Sequence, residues 1–185
     1  MTNRFVSMGL LGLTSLACAT TATSPAAPTA APSAPAVPAA LAVPAGAQQV
    51  ARFHATGAQV YVCAAATVGA APAWTLKRPD AALTDADGKP AGTHGAGPSW
   101  TSTDGSAVVG KKLAQADSPD AAAIPWLLVR GVSTTGTGVF AGVTFIQRVS
   151  TTGGKAPATG CGADNVGAET RANYTADYVF YRGGA

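Results

Sequence analysis

The chain has 185 residues, which is room for one domain with a tail, and its net charge of +3 comes without any basic cluster. This charge gives no support to a nucleic-acid partner, and none is predicted. Apolar residues make up 47% of the chain, but nearly half of them are alanine, so we expect a small hydrophobic core with part of the chain outside it.

Residues 1–19 have the features of an export signal. Arg4 gives a positive start, and the apolar stretch that follows is too short to span a membrane. Two processing routes stay open: Ala17-Cys18-Ala19 fits an ordinary signal peptidase, whereas Leu16-Ala17-Cys18 resembles an imperfect bacterial lipobox that would put a lipid on Cys18. We therefore expect an exported protein that is periplasmic, anchored to the outer membrane or secreted, with that lipid as its only membrane contact.

Residues 20–45 are predicted to form a linker. They carry no charge and are rich in alanine, proline, threonine and serine. Such a segment cannot build a core and favours an extended, polyproline-like chain. The folded domain is therefore predicted to span residues 46–185.

Cys63 and Cys161 are predicted to form a disulfide. Cys18 is removed or lipidated under either processing route, which leaves an even pair in an oxidising compartment. The alternative is two separate buried thiols. Neither cysteine belongs to a CxxC motif, so the sequence favours neither thioredoxin-like redox chemistry nor a zinc knuckle.

The domain is predicted to be all-β. Short β-branched, aromatic or apolar runs occur at 50–54, 59–63, 74–77, 124–130, 139–149 and 174–181. Thr56-Gly57 separates the first two runs, and the dipeptides Asp87-Gly88 and Asp104-Gly105 are typical of hairpin turns. The only helical pattern is one turn at 120–124. We predict a single-domain antiparallel β-sandwich or small barrel, in which Tyr174, Ala176, Tyr178 and Phe180 share one face of the last strand.

A family resemblance rests on a series of short motifs in order along the domain. They are Gln59–Cys63, Gly92–Trp100, Asp104–Ser106, Ile124–Trp126, Gly138–Gly142, Gln147-Arg148, Gly153–Pro157 and Gly160-Cys161. Together they resemble the DUF3455 family. The resemblance implies a secreted or envelope protein and no particular activity, since the family is one of unknown function. One departure is Gly95, because the family pattern leads us to expect an aromatic residue after His94.

The candidate ligand site is the loop that contains His94. Glycines on both sides of this histidine allow the backbone to approach a ligand, although they equally suit close approach of another strand or a hydrogen-bonded turn. The candidate ligand-binding residues are His94, Trp100, Asp104, Gln147 and Arg148. For Arg148 the alternative is a structural role on backbone carbonyls or a carboxylate, and for the tryptophans it is packing. We predict a non-enzymatic binding module for a small molecule, a glycan or an envelope protein.

The alternative function is a hydrolase that uses His94 with an aspartate. No GxSxG motif is present, carboxylates are few, and the only other histidine is His54. The run Gly105–Lys112 lacks the final Ser or Thr of a phosphate-binding loop, and Asp85–Gly88 lacks the later ligands of a calcium loop. No cofactor and no metal site are predicted.

Overall fold

Eight antiparallel strands form one closed sheet in the computed structural model, which describes residues 1–2 and 36–184. The strands are β1 (Gln48–Ala65), β2 (Pro72–Thr84), β3 (Pro90–Gly95), β4 (Ser99–Ser102), β5 (Ala107–Ala116), β6 (Trp126–Thr135), β7 (Val143–Gly153) and β8 (Glu169–Arg182). Each strand pairs with the next along the chain, and β8 pairs back onto β1. The all-β prediction is confirmed, and of the two predicted architectures the structure is the barrel.

Helix is limited, in the described part of the chain, to two single turns of 3-10 helix, Ala39–Leu41 and Ala163–Asn165. The helical turn predicted at 120–124 is an ordinary turn, because the Asp120 carboxylate accepts from the Ala122 N–H at 2.8 Å and closes the chain locally. Among the described residues, no helix has the length and apolar character needed to cross a membrane. The predicted signal peptide, Cys18 and most of the predicted linker fall on residues 3–35, outside the described ranges.

β1 runs unbroken through Thr56-Gly57, where the sequence predicted a separation between two strands. Gly57 lies opposite Ala81 of β2 and Tyr174 of β8. A side chain at Gly57 would clash with the Asp80 carbonyl oxygen and with Ala81. Glycine is needed here because the neighbouring strand passes unusually close, and not because the chain turns. That part of the prediction was wrong.

The two Asp-Gly dipeptides lie in hairpin turns, as predicted. Asp87-Gly88 joins β2 to β3, and Asp104-Gly105 joins β4 to β5; the two glycines have φ values of +78° and +83°. The Asp85 carboxylate accepts from the N–H groups of Asp87 and Lys89, both at 2.9 Å. The aspartates of 85–88 therefore stabilise a turn.

The inside of the barrel holds the larger hydrophobic cluster. The alternation of side chains along β8 puts Tyr174, Ala176, Tyr178 and Phe180 in this cluster, which confirms the predicted face of the last strand. Phe53 and Phe140 pack against Phe180, with ring centroids 5.8 and 4.6 Å from it. One part of the interior is therefore filled by aromatic rings.

The outside of β6, β7 and β8 is covered by the segment that precedes β1. Leu41 is fully buried there among Trp126, Phe145 and Val179. The cover is also held by polar contacts, since the side-chain amide of Gln147 donates to the Leu41 carbonyl oxygen at 2.6 Å. The end of the segment that the sequence assigns to a linker thus packs against the barrel.

The predicted disulfide is confirmed. Cys63 near the end of β1 is bonded to Cys161 in the connection between β7 and β8, with their Cα atoms 5.3 Å apart and a sequence separation of 98. The bond ties the end of the first strand to the chain just before the last strand.

The variant Leu41→Ala should lower the free energy of unfolding by about 2–5 kcal/mol, because it removes a fully buried side chain and leaves a cavity under the cover. Urea denaturation gives the value. Leu113→Ala, at a half-exposed leucine on the barrel surface, is the matched control and should change it by less than about 0.5 kcal/mol. Equal effects of the two substitutions would show that the cover does not pack in solution.

Cys63→Ser, Cys161→Ser and the double variant should all lower the melting temperature by the amount that reduction of the wild-type chain does. The chain-entropy estimate for a loop of this length gives at most about 4–5 kcal/mol. The double variant should show no further loss, because each single substitution already opens the bond. A melting temperature that is insensitive to reduction would contradict the bond.

Candidate functional site

A cavity of about 350 Å³ opens into the barrel. Its buried wall includes Gln59, His94, Trp100, Val129, Arg148 and Tyr178. Its opening is marked by exposed residues, namely Leu76, Lys77, Gly97 and Lys112. A barrel of eight strands is wide enough to hold one small ligand, and this cavity has the size that such a ligand needs.

Strand pairing brings the buried wall together from distant parts of the chain. His94 on β3 is the direct partner of Trp100 on β4, and Arg148 on β7 is the direct partner of Tyr178 on β8. Direct partners on antiparallel strands point to the same face of a sheet. Gln59 comes from β1. Three of the five predicted site residues, His94, Trp100 and Arg148, therefore lie in one cavity wall.

His94 is a buried, neutral ring. Its Nδ1 lies 2.8 Å from the Ser99 carbonyl oxygen, which can only accept, so Nδ1 carries the proton and Nε2 keeps a lone pair. The imidazole stacks on the Trp100 ring, with centroids 4.5 Å apart and planes 11° from parallel. Burial lowers the pKa of His94 to about 4; the Ser99 hydrogen bond opposes this effect and the charge of Arg148 adds to it. The ring is thus an aromatic surface and a hydrogen-bond acceptor at neutral pH.

Arg148 brings a positive charge into the wall. Its side chain is 9% exposed, and its Nε and Nη2 both donate to the Pro125 carbonyl oxygen, at 3.1 and 2.7 Å. The Tyr178 hydroxyl is a further, uncharged hydrogen-bonding neighbour of the guanidinium. Arg148 also forms no ion pair with a carboxylate of the described chain. From the sequence, two structural partners stayed open for Arg148, a backbone carbonyl or a carboxylate. The structure shows the backbone carbonyl, so the positive charge of Arg148 has no counterion among residues 36–184.

Two donors in the wall lack partners. Gln59 and Trp100 are 2% and 1% exposed, and neither Gln59 Nε2 nor Trp100 Nε1 forms a hydrogen bond within the described chain. A buried donor that is left unpaired costs about 1–3 kcal/mol. The wall is therefore short of hydrogen-bond acceptors.

The rim combines apolar and cationic residues. β2 carries one extra residue, Lys77, between the positions that pair with Val60 and Tyr61 of β1. Such a bulge redirects side chains and is frequent beside binding sites. Lys77 pairs with Glu169, and Arg78 lies 3.3 Å from Asp80. Rim charges that are paired and exposed contribute less than the buried charge of Arg148.

Asp104 and Gln147 lie away from the cavity. Asp104 Oδ1 accepts from Ser106 Oγ and N at 2.6 and 2.8 Å, and its Oδ2 accepts from the Val139 N–H at 2.7 Å. These hydrogen bonds, that of the Ser106 hydroxyl first, lower the pKa of Asp104 to about 2. Gln147 holds the Leu41 carbonyl and accepts from the Tyr181 hydroxyl at 2.7 Å. Both side chains serve the fold at these positions.

Within the described chain, His94 has no aspartate partner of the kind that the hydrolase hypothesis requires. The carboxylate that the sequence offered, Asp104, is bonded to Ser106 and Val139, and the His94 ring bonds to a backbone carbonyl. A histidine–aspartate pair does occur between His54 and Asp177, at 3.0 Å, but it is exposed and Arg52 shares the same carboxylate at 2.8 Å. Within the described chain, no group of three or more potential metal ligands comes together.

Sequence reasoning missed Gln59 and Tyr178 as site residues. The signal that could have identified Gln59 as a site residue is its place as a single glutamine at the start of the apolar run Gln59–Cys63. Tyr178 was predicted only to share one face of the last strand with Tyr174, Ala176 and Phe180, because nothing in sequence distinguishes a ring that fills the core from one that borders a cavity.

Comparison with known proteins gives one match. The family model DUF3455, described as a protein of unknown function, matches residues 44–182. No curated protein and no solved structure matches the chain.

The buried His94 should make stability depend on pH. Its pKa in the folded chain, about 4, lies below the ordinary value of 6.5, so between these values the unfolded chain binds a proton that the folded chain does not. The stabilisation is complete above pH 6.5 and is lost as the pH falls toward 4, by up to about 3 kcal/mol. Urea denaturation at intervals from pH 7 to pH 5 measures it.

The matched control for this prediction is the other histidine. His94→Gln should remove most of the fall in the free energy of unfolding between pH 6.5 and pH 5, whereas His54→Gln, at the exposed histidine, should keep it. Indistinguishable pH profiles for wild type and His94→Gln would contradict a neutral buried imidazole.

Proposed function

This chain belongs to the DUF3455 family, and we propose that it is a non-enzymatic binding module that takes a small molecule into its barrel cavity. The observation that carries the proposal is a cavity of about 350 Å³ whose buried wall contains polar groups without partners. Buried polar groups are nearly always paired in folded proteins, so unpaired ones that border a cavity point to a ligand.

The chemistry of the wall favours binding over catalysis. General acid–base catalysis needs a group that exchanges a proton near neutral pH within reach of the substrate. His94 has a pKa of about 4 and its protonated nitrogen is engaged with Ser99. A buried aromatic ring that stays neutral suits recognition of a ligand better than proton transfer.

We further propose that the protein works outside the cytoplasm, in the cell envelope or as a secreted protein. The disulfide between Cys63 and Cys161 is compatible with an oxidising compartment. The features of residues 1–19 support the same location, with or without a lipid on Cys18. The ligand would then be a molecule that the envelope or the surroundings supply, with a glycan or an envelope protein as the other partner classes.

Binding in the cavity should be visible at a single tryptophan. The chain has three tryptophans, and each gives its own indole N–H signal in a ¹⁵N-labelled sample. A library of small organic fragments should contain compounds that shift the Trp100 signal and leave Trp74 and Trp126 unchanged, because only Trp100 borders the cavity. The absence of any such fragment would overturn the proposal.

Two variants of β6 separate cavity binding from surface binding. Leu127→Phe adds volume to the cavity wall and should abolish the shift, whereas Val132→Phe, at an exposed position of the same strand, should preserve it. Melting temperatures establish that both variants fold. A fragment that binds the folded Leu127→Phe variant as well as wild type does not occupy this cavity.

A further inference from the structure

The charged residues that line the cavity are all lysines and arginines. Its lining, which lies wholly within the described chain, includes Lys77, Arg78, Lys112 and Arg148 and contains neither aspartate nor glutamate. Carboxylates outside the lining pair with Lys77 and Arg78, so part of the rim charge is neutralised. The guanidinium of Arg148 is the buried cation that no described carboxylate approaches. A guanidinium keeps its proton under all physiological conditions, and a buried charge is stable only with a partner.

The geometry around Arg148 leaves room for that partner. Pro125 engages Nε and Nη2, and the other polar neighbour of the guanidinium, the Tyr178 hydroxyl, is uncharged. The neighbouring wall residues Gln59 and Trp100 hold N–H donors without acceptors. A guanidinium is a strong partner for planar anions with two oxygens, since charge-assisted hydrogen bonds are about twice as strong as neutral ones. The missing component of the wall is thus an acceptor that carries negative charge.

The rest of the cavity wall is apolar and aromatic. Leu127 and Val129 line it, together with the Trp100 ring, which packs against the rings of His94, Tyr178 and Phe180. Such walls bind a hydrocarbon or aromatic body, and the few polar groups fix its orientation. The volume of about 350 Å³ admits a small molecule and excludes a folded polypeptide.

We infer that the ligand is a small organic acid, whose carboxylate is bound by Arg148 and whose apolar body lies along the Trp100 wall. This inference rests on the proposed function and narrows it to one chemical class. Water could satisfy the free N–H donors of Gln59 and Trp100, but it would leave the charge of Arg148 without a counterion. The charge of the ligand is therefore the property to test.

The test compares matched pairs of probes on the oxidised full chain. Phenylacetate, hexanoate and indole-3-acetate are each titrated against their primary amides, which have the same shape and no charge, and the Trp100 indole signal reports binding. We expect each bound carboxylate to bind about ten- to a hundredfold more tightly than its amide. Arg148→Met should abolish this preference, because it weakens the binding of the carboxylate far more than that of its amide.

Arg130→Met is the matched control. Arg130 is an exposed arginine on β6, with its guanidinium 5.6 Å from the centre of the Phe145 ring, and it does not line the cavity. This variant should keep the full preference for carboxylates. If Arg148→Met does not fold, Arg148→Lys keeps the charge but loses the two-pronged donor and should reduce the preference without removing it.

The outcomes separate the two proposals. Equal binding of carboxylates and amides at Trp100 would overturn the organic acid and leave the binding module in place. A preference for carboxylates that survives in folded Arg148→Met would overturn the role of Arg148. Probes that shift Trp74 or Trp126 in place of Trp100 would overturn the cavity as the site, and failure of the probes and of the fragment library alike would overturn the proposed function itself.

Discussion

The pairing of β1 with β8 is the constraint on which the rest of the structure depends. It joins the first strand to the last over most of their lengths, from Gln48 opposite Arg182 to Val62 opposite Glu169. A sheet without free edges offers no strand to other chains and encloses its own interior. Gly57 allows β2 to approach the same stretch of β1 closely, so one strand serves both neighbours. The disulfide from Cys63 then holds this closure covalently.

Ring closure also explains why a cavity exists. The number of strands fixes the cross-section of a barrel, whatever side chains point inward. The interior of this barrel contains a cluster of phenylalanines at one place and several alanines elsewhere, among them Ala55, Ala81 and Ala176. None of these alanines lines the cavity. The space beside Trp100 and Arg148 remains because the closed ring of strands encloses more volume than the inward side chains fill at this place.

Local features were predictable from the sequence, and the features that depend on closure were not. The Asp-Gly turns and the two-residue period of β8 each follow from the chemistry of a few neighbouring residues. The cysteine pair follows from the number of cysteines that remain after processing. The choice between sandwich and barrel depends on whether β1 meets β8, more than a hundred residues away, and no local pattern reports it. Gly57 was misinterpreted for the same reason, because the strand that passes close to it is distant in sequence.

The candidate site was likewise predictable in part from local sequence and in part not. The glycines around His94 drew attention to a stretch that does border the cavity. Gln147 and Arg148 were predicted as a pair, yet successive residues of a strand point to opposite faces of the sheet. Gln147 therefore faces the outer cover and Arg148 faces the interior. Asp104 lay close to His94 in sequence, but its three hydrogen bonds are to Ser106 and Val139.

The buried polar side chains differ in whether their hydrogen bonds are complete, and this difference supports a ligand site. Some buried polar groups that serve the fold have complete hydrogen bonds: Gln147 is bonded at both ends of its amide, and Thr151 donates to the Ile124 carbonyl oxygen at 2.7 Å. Trp126 Nε1, under the outer cover, is an exception. In the cavity wall, Gln59 Nε2 and Trp100 Nε1 lack partners, and Arg148, whose neighbours are the Pro125 carbonyl and the Tyr178 hydroxyl, has no carboxylate partner among residues 36–184. A buried donor without an acceptor, or a buried charge without a counterion, costs the fold free energy. Residues that weaken a fold in this way are typical of sites where a ligand supplies the missing contacts.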